Sequence, residues 1–171
     1  MSAAALAIAM AAFAAGAILA MVWPSGAGAR RLSLASACVG CSACMSIRIP
    51  VRVFCPSRAQ RRITRRNERL ARRPCEAWAT ETQFALFRRY LNDRHADGGM
   101  ADMDAFDYAS MVDETPVNTM VVEYTGPEED GGRLIAACLS DVLGDGLSMV
   151  YSFFDPARAG DSLGTYVILD H

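Results

Sequence analysis

Three thiols recur at every third position in Cys38-Val-Gly-Cys41-Ser-Ala-Cys44, and within a dozen residues the chain reads Pro56-Ser-Arg-Ala-Gln-Arg-Arg62. Thiolates so spaced suit a soft ion such as zinc, or an iron–sulfur cluster. Closely set guanidinium groups suit a polyphosphate backbone. Together they predict a small cysteine site beside a nucleic acid. Cys38, Cys41 and Cys44 are one ligand short of a closed set. Cys55 or Cys75 could supply the fourth, although each also reads as a free thiol. Cys138, inside Leu134-Ile-Ala-Ala-Cys-Leu139, reads as a small buried hydrophobe. This cysteine pattern is not a secreted disulfide framework, and it predicts a reducing, cytoplasmic setting.

Charge sharpens the same reading. The net charge of −2 hides a division: residues 30–94 carry 15 Arg against 4 acidic residues, and residues 95–171 carry 2 Arg against 15 acidic residues. Such a division predicts an anionic partner for the first half. All 17 basic residues are Arg. The planar guanidinium fork matches phosphate, but coding bias explains a Lys-free chain equally well, so the clustering is the stronger signal.

The elements that must position these groups follow from periodicity and punctuation. Met1–Trp23 is uncharged, and 11 of its 23 residues are Ala. It predicts an Ala-rich helix, long enough to span a bilayer but weakly apolar, with a membrane anchor as the alternative to an inert tail. A Pro-Ser-Gly-Ala-Gly-Ala linker precedes Arg30. Residues 47–54 alternate, with Ile47, Ile49, Val51 and Val53 on one face, and Pro50 predicts an edge strand. Residues 58–73 hold eight Arg and one Glu. If they are helical, Arg58, Arg61, Arg62, Arg65, Arg66 and Arg69 share one side. Thr80-Glu-Thr-Gln83 predicts a capping box opening a helix to about His95, with Phe84, Phe87 and Leu91 inward and His95 as C-cap. Asp104 predicts a second cap, for a helix to about Val112 with Phe106 and Ala109 inward. Met100 and Met103 read as core. Strands are predicted at Val117–Tyr124, Arg133–Leu143 and Leu147–Phe154, with Gly144-Asp-Gly146 as a tight hairpin. Ser162 starts a final helix.

The motifs CVGCSAC (38–44), FCPSRAQRR (54–62), FALFRRYLNDRHADGGMADM (84–103), LSDVLGDGLSMVYSFFDP (139–156) and SLGTYVILDH (162–171) make residues 38–171 resemble the bacterial aspartate/glutamate leucyltransferases, relatives of the arginyl-tRNA–protein transferases. The resemblance implies transfer of leucine, or arginine in the relatives, from aminoacyl-tRNA to proteins starting with Asp or Glu, feeding the N-end rule pathway of protein degradation. It implies an α+β fold with a GNAT-like acyltransferase domain at 79–171, a cysteine- and Arg-rich region at 36–78, and an unrelated segment at 1–35. The family pattern also includes a Cys-Pro-Tyr motif before the cysteine cluster, and it continues past the equivalent of His171. The expectation is a chain truncated at both ends, with an incomplete metal set.

Within that resemblance, residue roles can be assigned. An aminoacyl ester is already activated, so transfer to an amine needs positioning, a neutral amine and help for the oxyanion. Asp141 and Asp155, bracketing the hairpin, are the candidate bases, and Tyr151 would orient the ester. Asp155 as a turn cap and Tyr151 as core are the competing structural roles. The backbone amides at Leu163 and Gly164 would face the tRNA 3′ end or the oxyanion. Arg58, Arg61, Arg62, Arg65 and Arg66 would hold tRNA phosphates or the acidic side chain of the acceptor. Two other readings stand beside this one: a non-catalytic remnant that binds metal and RNA through residues 38–73, and a membrane-tethered protein.

Overall fold

The computed structural model describes residues 20–23, 35–36 and 45–171. Cys38, Cys41, Cys44 and most of residues 1–35 lie outside the described residues. Of the Ala-rich segment, Ala20–Trp23 forms a strand (β1), not the expected helix. Among the described residues, no helix is long and apolar enough to cross a membrane.

Along the chain follow β2 (Ala35–Ser36), β3 (Met45–Pro50), α1 (Arg58–Arg66), β4 (Ala71–Glu76), α2 (Glu81–Arg94), α3 (Ala105–Asp113), β5 (Thr119–Thr125), β6 (Leu134–Leu143), β7 (Gly146–Phe154) and α4 (Leu163–Asp170). The strands form one sheet in the order β2-β3-β1-β7-β6-β5-β4. Four of its strands, β7-β6-β5-β4, form an antiparallel meander that ends at the β4 edge. The Gly144–Gly146 hairpin sits between β6 and β7, as the turn residues predict. A register shift beside Leu139 and Ser140 inserts an extra residue into β7.

Helices cover both faces of the meander. Buried residues of α2 and α3 pack with Val121, Leu139, Tyr151 and Phe153. Leu163, Tyr166 and Val167 of α4 pack with Val122, Tyr124 and Cys138, beside Ile63 of α1. Strand β6 is therefore buried on both faces from Leu134 to Ser140. Its small central residues, Ala136, Ala137 and Cys138, let both helical layers approach. Met100 is buried and Met103 packs against the same core.

The predicted caps are present. Thr80 accepts from the Gln83 amide while Gln83 closes the box, and His95 is the C-cap of α2. Asp104 caps α3. Four expectations need correction. The strand at 47–54 stops at Pro50, which cannot donate to a ladder, and Val51–Val53 form a 3-10 turn with Val51 and Val53 49% and 55% exposed. That strand lies between β2 and β1, not at an edge. The Arg-rich stretch splits: the helix ends at Arg66, and Arg72 and Arg73 belong to β4, whose Pro74 is accommodated at a true edge. Phe106, at the start of α3, is 77% exposed, because that helix buries Tyr108 and Val112 instead.

Candidate functional site

The α1/α4 side of the sheet carries most of the residues singled out from the sequence. Helix α1 starts at a complete capping box: Ser57 accepts from the Gln60 amide at 3.3 Å, and the Gln60 side chain accepts from the Ser57 amide at 2.7 Å. This box fixes the helical phase. It places Ile63 toward the core and leaves Arg58, Arg61, Arg62 and Arg65 exposed on the outer side. Arg61 donates to the Pro56 carbonyl. Among the described residues, Arg58, Arg62 and Arg65 form no ion pair with an acidic side chain. Like charges spaced at i, i+3 and i+4 repel, so this face gains from an anionic partner.

The C-terminal end of α1 is fastened to the turn before α4. Arg66 donates to the Gly160 carbonyl, and the Asn67 amide donates to the Asp161 carbonyl at 2.9 Å. Asn67 is buried and its Oδ1 has no partner. Helix α4 then starts from Ser162 in the left-handed region, at φ 55°, without a side-chain cap. A non-glycine residue held there costs about 1–3 kcal/mol, and such positions cluster at functional sites. The first-turn amides, including Leu163 and Gly164, therefore point out of the helix without a capping side chain. A Cβ at Gly164 would lie 3.2 Å from the Phe154 ring, so glycine gives that ring its seat.

Asp155 lies at the same end. It is buried, caps the 3-10 turn by accepting from the Ala157 amide at 3.2 Å, and stands 3.1 Å from the Arg133 guanidinium. The ion-pair oxygen, Oδ2, is buried and lacks hydrogen-bond geometry to any donor. Tyr151 sits in the layer facing α2, between Phe87 and Phe153. Its hydroxyl is buried without a partner. Burial first, and then the neighbouring Tyr90, push this phenol well above the usual tyrosine range.

Asp141 is not part of this arrangement. It pairs in register with Ser148, while the Asp155 amide donates to the Ile135 carbonyl at the opposite end of the strands. At about 3.3 Å per residue the two carboxylates stand roughly 20 Å apart, so they do not form the paired set that the hairpin between them implied. Asp141 accepts from the Thr119 hydroxyl at 2.8 Å, and burial raises its carboxyl. Leu163, Gly164, Asp155 and Arg66 are brought to one end of the sheet; Tyr151 is not among them, since it faces α2 from the middle of β7.

Sequence reasoning missed a polar cluster under α4. Tyr124 donates to Asp170 at 2.9 Å, and Arg72 meets the same carboxylate oxygen at 2.9 Å. His171 Nδ1 lies 2.9 Å from the Val167 carbonyl, which can only accept, so Nδ1 carries the proton. The Nε2 lone pair then accepts from Ser140 Oγ at 3.1 Å. Burial is the main reason that His171 titrates below its ordinary range. Cys138, 3.4 Å from Ser140 Oγ, is pushed up to about 12 by burial, so it is an inert thiol as expected. The i, i+2 spacing of Cys138 and Ser140 on an apolar strand was the one available sequence signal. Their partners lie too far along the chain to be paired by pattern.

Among the described residues, no group of His, Cys, Asp and Glu forms a metal site. Of the two cysteines considered as a fourth ligand, Cys55 is exposed and Cys75 half-buried, and neither forms a disulfide among the described residues.

Residues 82–171 match the family model described as arginine-tRNA-protein transferase, C terminus. Proteins named aspartate/glutamate leucyltransferase are similar over a longer stretch. That of Paracoccus denitrificans is 59% identical over 143 residues, covering 78% of this chain and 51% of its own length. That of Jannaschia sp. is 61% identical over 134 residues, covering 78% and 46%. That of Cereibacter sphaeroides is 59% identical over 136 residues, covering 78% and 49%. The chain thus spans about half the length of the curated relatives it matches.

Proposed function

The chain belongs to the arginine-tRNA-protein transferase family, and from that membership we propose that its site serves aminoacyl transfer from tRNA to a protein N-terminus. Leucine is the aminoacyl group and Asp- or Glu-starting proteins are the acceptors, as the names of the relatives indicate for those proteins. The product would enter the N-end rule pathway in the cytoplasm. The sheet covered by helices on both faces supports a GNAT-like reading of residues 79–171.

The observation that carries the reading is the joining of the arginine helix to the uncapped start of α4 through Arg66–Gly160 and Asn67–Asp161. It sets the exposed arginine face, suited to phosphates, beside backbone amides without a capping side chain. Arg58, Arg61, Arg62 and Arg65 hold the donor's phosphates, and Arg66 ties that face to the site. The neutral acceptor amine attacks the ester carbonyl. The Leu163 and Gly164 amides stabilise the oxyanion that forms. Tyr151, buried in the layer under α2 on the other face of the sheet, stands apart from these amides. The C–O bond to the ribose then breaks, and the amine's proton passes to solvent or Asp155 and on to the leaving hydroxyl. Asp141 is too distant to share this work. Cys38, Cys41 and Cys44 would hold zinc or an iron–sulfur cluster, a role their thiolate chemistry fits and no step here uses.

The test is transfer of labelled leucine from Leu-tRNA to peptides starting with Asp or with Ala. Incorporation into the Asp peptide alone is expected. RNA binding without incorporation would favour the remnant reading.

A further inference from the structure

Four side chains gather at the C-terminal end of α2 that the mechanism above does not use. The Tyr90 ring stands 5.0 Å from the Phe154 ring, edge to face, and 5.5 Å from His95. The Arg94 guanidinium carbon sits 5.6 Å over the Phe154 ring. Phe87, Tyr108 and Phe153, deeper in the same layer, are fully covered. The outer group is not: Tyr90, His95 and Phe154 are half-buried and Arg94 is exposed. Arg94 has only a loose pair with Asp93, at 3.5 Å on the surface. Tyr90 packs against the same core layer as Tyr151, whose buried hydroxyl has no partner. Phe154 is seated on Gly164, at the uncapped start of α4.

We propose that Tyr90, Arg94, His95 and Phe154 form a stacking platform for the unpaired 3′-terminal adenine of the RNA donor. The proposal rests on the aminoacyl-tRNA reading above and names the residues that would seat the donor's last base. Aromatic faces and guanidinium planes are the usual partners of an unstacked base. A base held on Tyr90 and Phe154 brings its ribose, and hence the ester, to the Gly164 amide at the start of α4. The preceding phosphates then run past the turn at Gly160–Asp161 toward Arg66, Arg65 and Arg62.

The test is equilibrium binding of an RNA hairpin with a single-stranded 3′ end, finished either by adenosine or by an abasic ribose, to the 171-residue chain. The platform predicts that the wild-type chain prefers the adenosine end by roughly 5- to 150-fold, the range expected for stacking one base. Tyr90→Leu combined with His95→Ala abolishes the preference and leaves the abasic hairpin bound as before. Arg94→Ala, a change at an exposed position, reduces the preference without altering the unfolding midpoint, and Tyr90→Phe retains it. Equal affinity of the wild-type chain for both hairpins overturns the platform while the phosphate-binding face stands. A preference that survives both Tyr90→Leu/His95→Ala and Arg94→Ala does the same. Failure of the wild-type chain to bind either hairpin overturns the aminoacyl-tRNA reading itself.

Discussion

The two sides of the antiparallel meander are built on different principles. The side under α2 and α3 is closed by interlocked rings: Phe87 lies 5.0 Å from Tyr108, 5.5 Å from Phe153 and 5.9 Å from Tyr151. Its main buried charge, Glu123, accepts from Gln83 at 2.9 Å and from Arg73 at 2.6 Å. Burial alone would raise this carboxyl, but the Arg73 and Gln83 hydrogen bonds and the Arg73 charge outweigh it and hold it below the usual carboxylate range. The side under α1 and α4 has smaller apolar groups, the Tyr124–Asp170–His171–Ser140 cluster and, outermost, exposed arginines. One side fixes the sheet. The other tolerates strain at Ser162, the unpartnered Oδ1 of Asn67 and like-charge repulsion, each of which costs stability.

If this contrast is right, truncating a ring on the α2/α3 side has the largest effect. Phe87→Ala should lose about 3–5 kcal/mol in urea unfolding, because the cavity is walled by several rings that cannot collapse into it. A loss below that of Leu163→Ala on the opposite side would break the comparison. Next comes Glu123→Ala, which strands the Gln83 amide in the interior and should cost about 1–3 kcal/mol.

The pH profile sharpens the comparison further. His171 titrates below its ordinary 6.5 in the fold, so its contribution is complete above that value and is lost as pH falls through the folded value. Glu123, lowered from 4.5, contributes above 4.5 and is lost at still lower pH. Asp141, raised from 3.8, has the opposite sign: it adds stability in acid and loses it as pH rises through its folded value. The α1/α4 side should therefore weaken first on acidification. Urea midpoints measured between pH 7.5 and 5 should show a decline that His171→Leu removes and Glu123→Gln retains. The smallest effect belongs to Phe106→Ser, which should stay within about 0.5 kcal/mol because the ring is already exposed.

Local chemistry made much of this fold legible in advance. The capping box at Thr80, the cap at Asp104 and the Gly144–Gly146 turn rest on short-range rules, and the structure obeys them. Strand β4 was hidden because Arg72, Arg73 and Pro74 do not look like a strand, and only the edge position beside β5 permits them. Phe106 misled because helical phase is set by what α3 packs against, not by the first aromatic residue. The Tyr124–Asp170–His171 cluster joins residues 46 and 47 positions apart, which no window reads. Asp141 and Asp155 looked paired because a hairpin separates them in sequence, yet the same hairpin sends them to opposite ends of the sheet.

The most direct test of the division between the two sides is the salt dependence of RNA-hairpin binding. Each phosphate contact contributes roughly 0.7–0.9 to the slope of log affinity against log salt. Replacing Arg58, Arg62 and Arg65 together by Ala should reduce that slope by about two units, while Arg89→Ala on α2 should leave it unchanged. An unchanged slope in the triple variant, or an equal loss from Arg89→Ala, would contradict the assignment of the α1/α4 side as the nucleic-acid face.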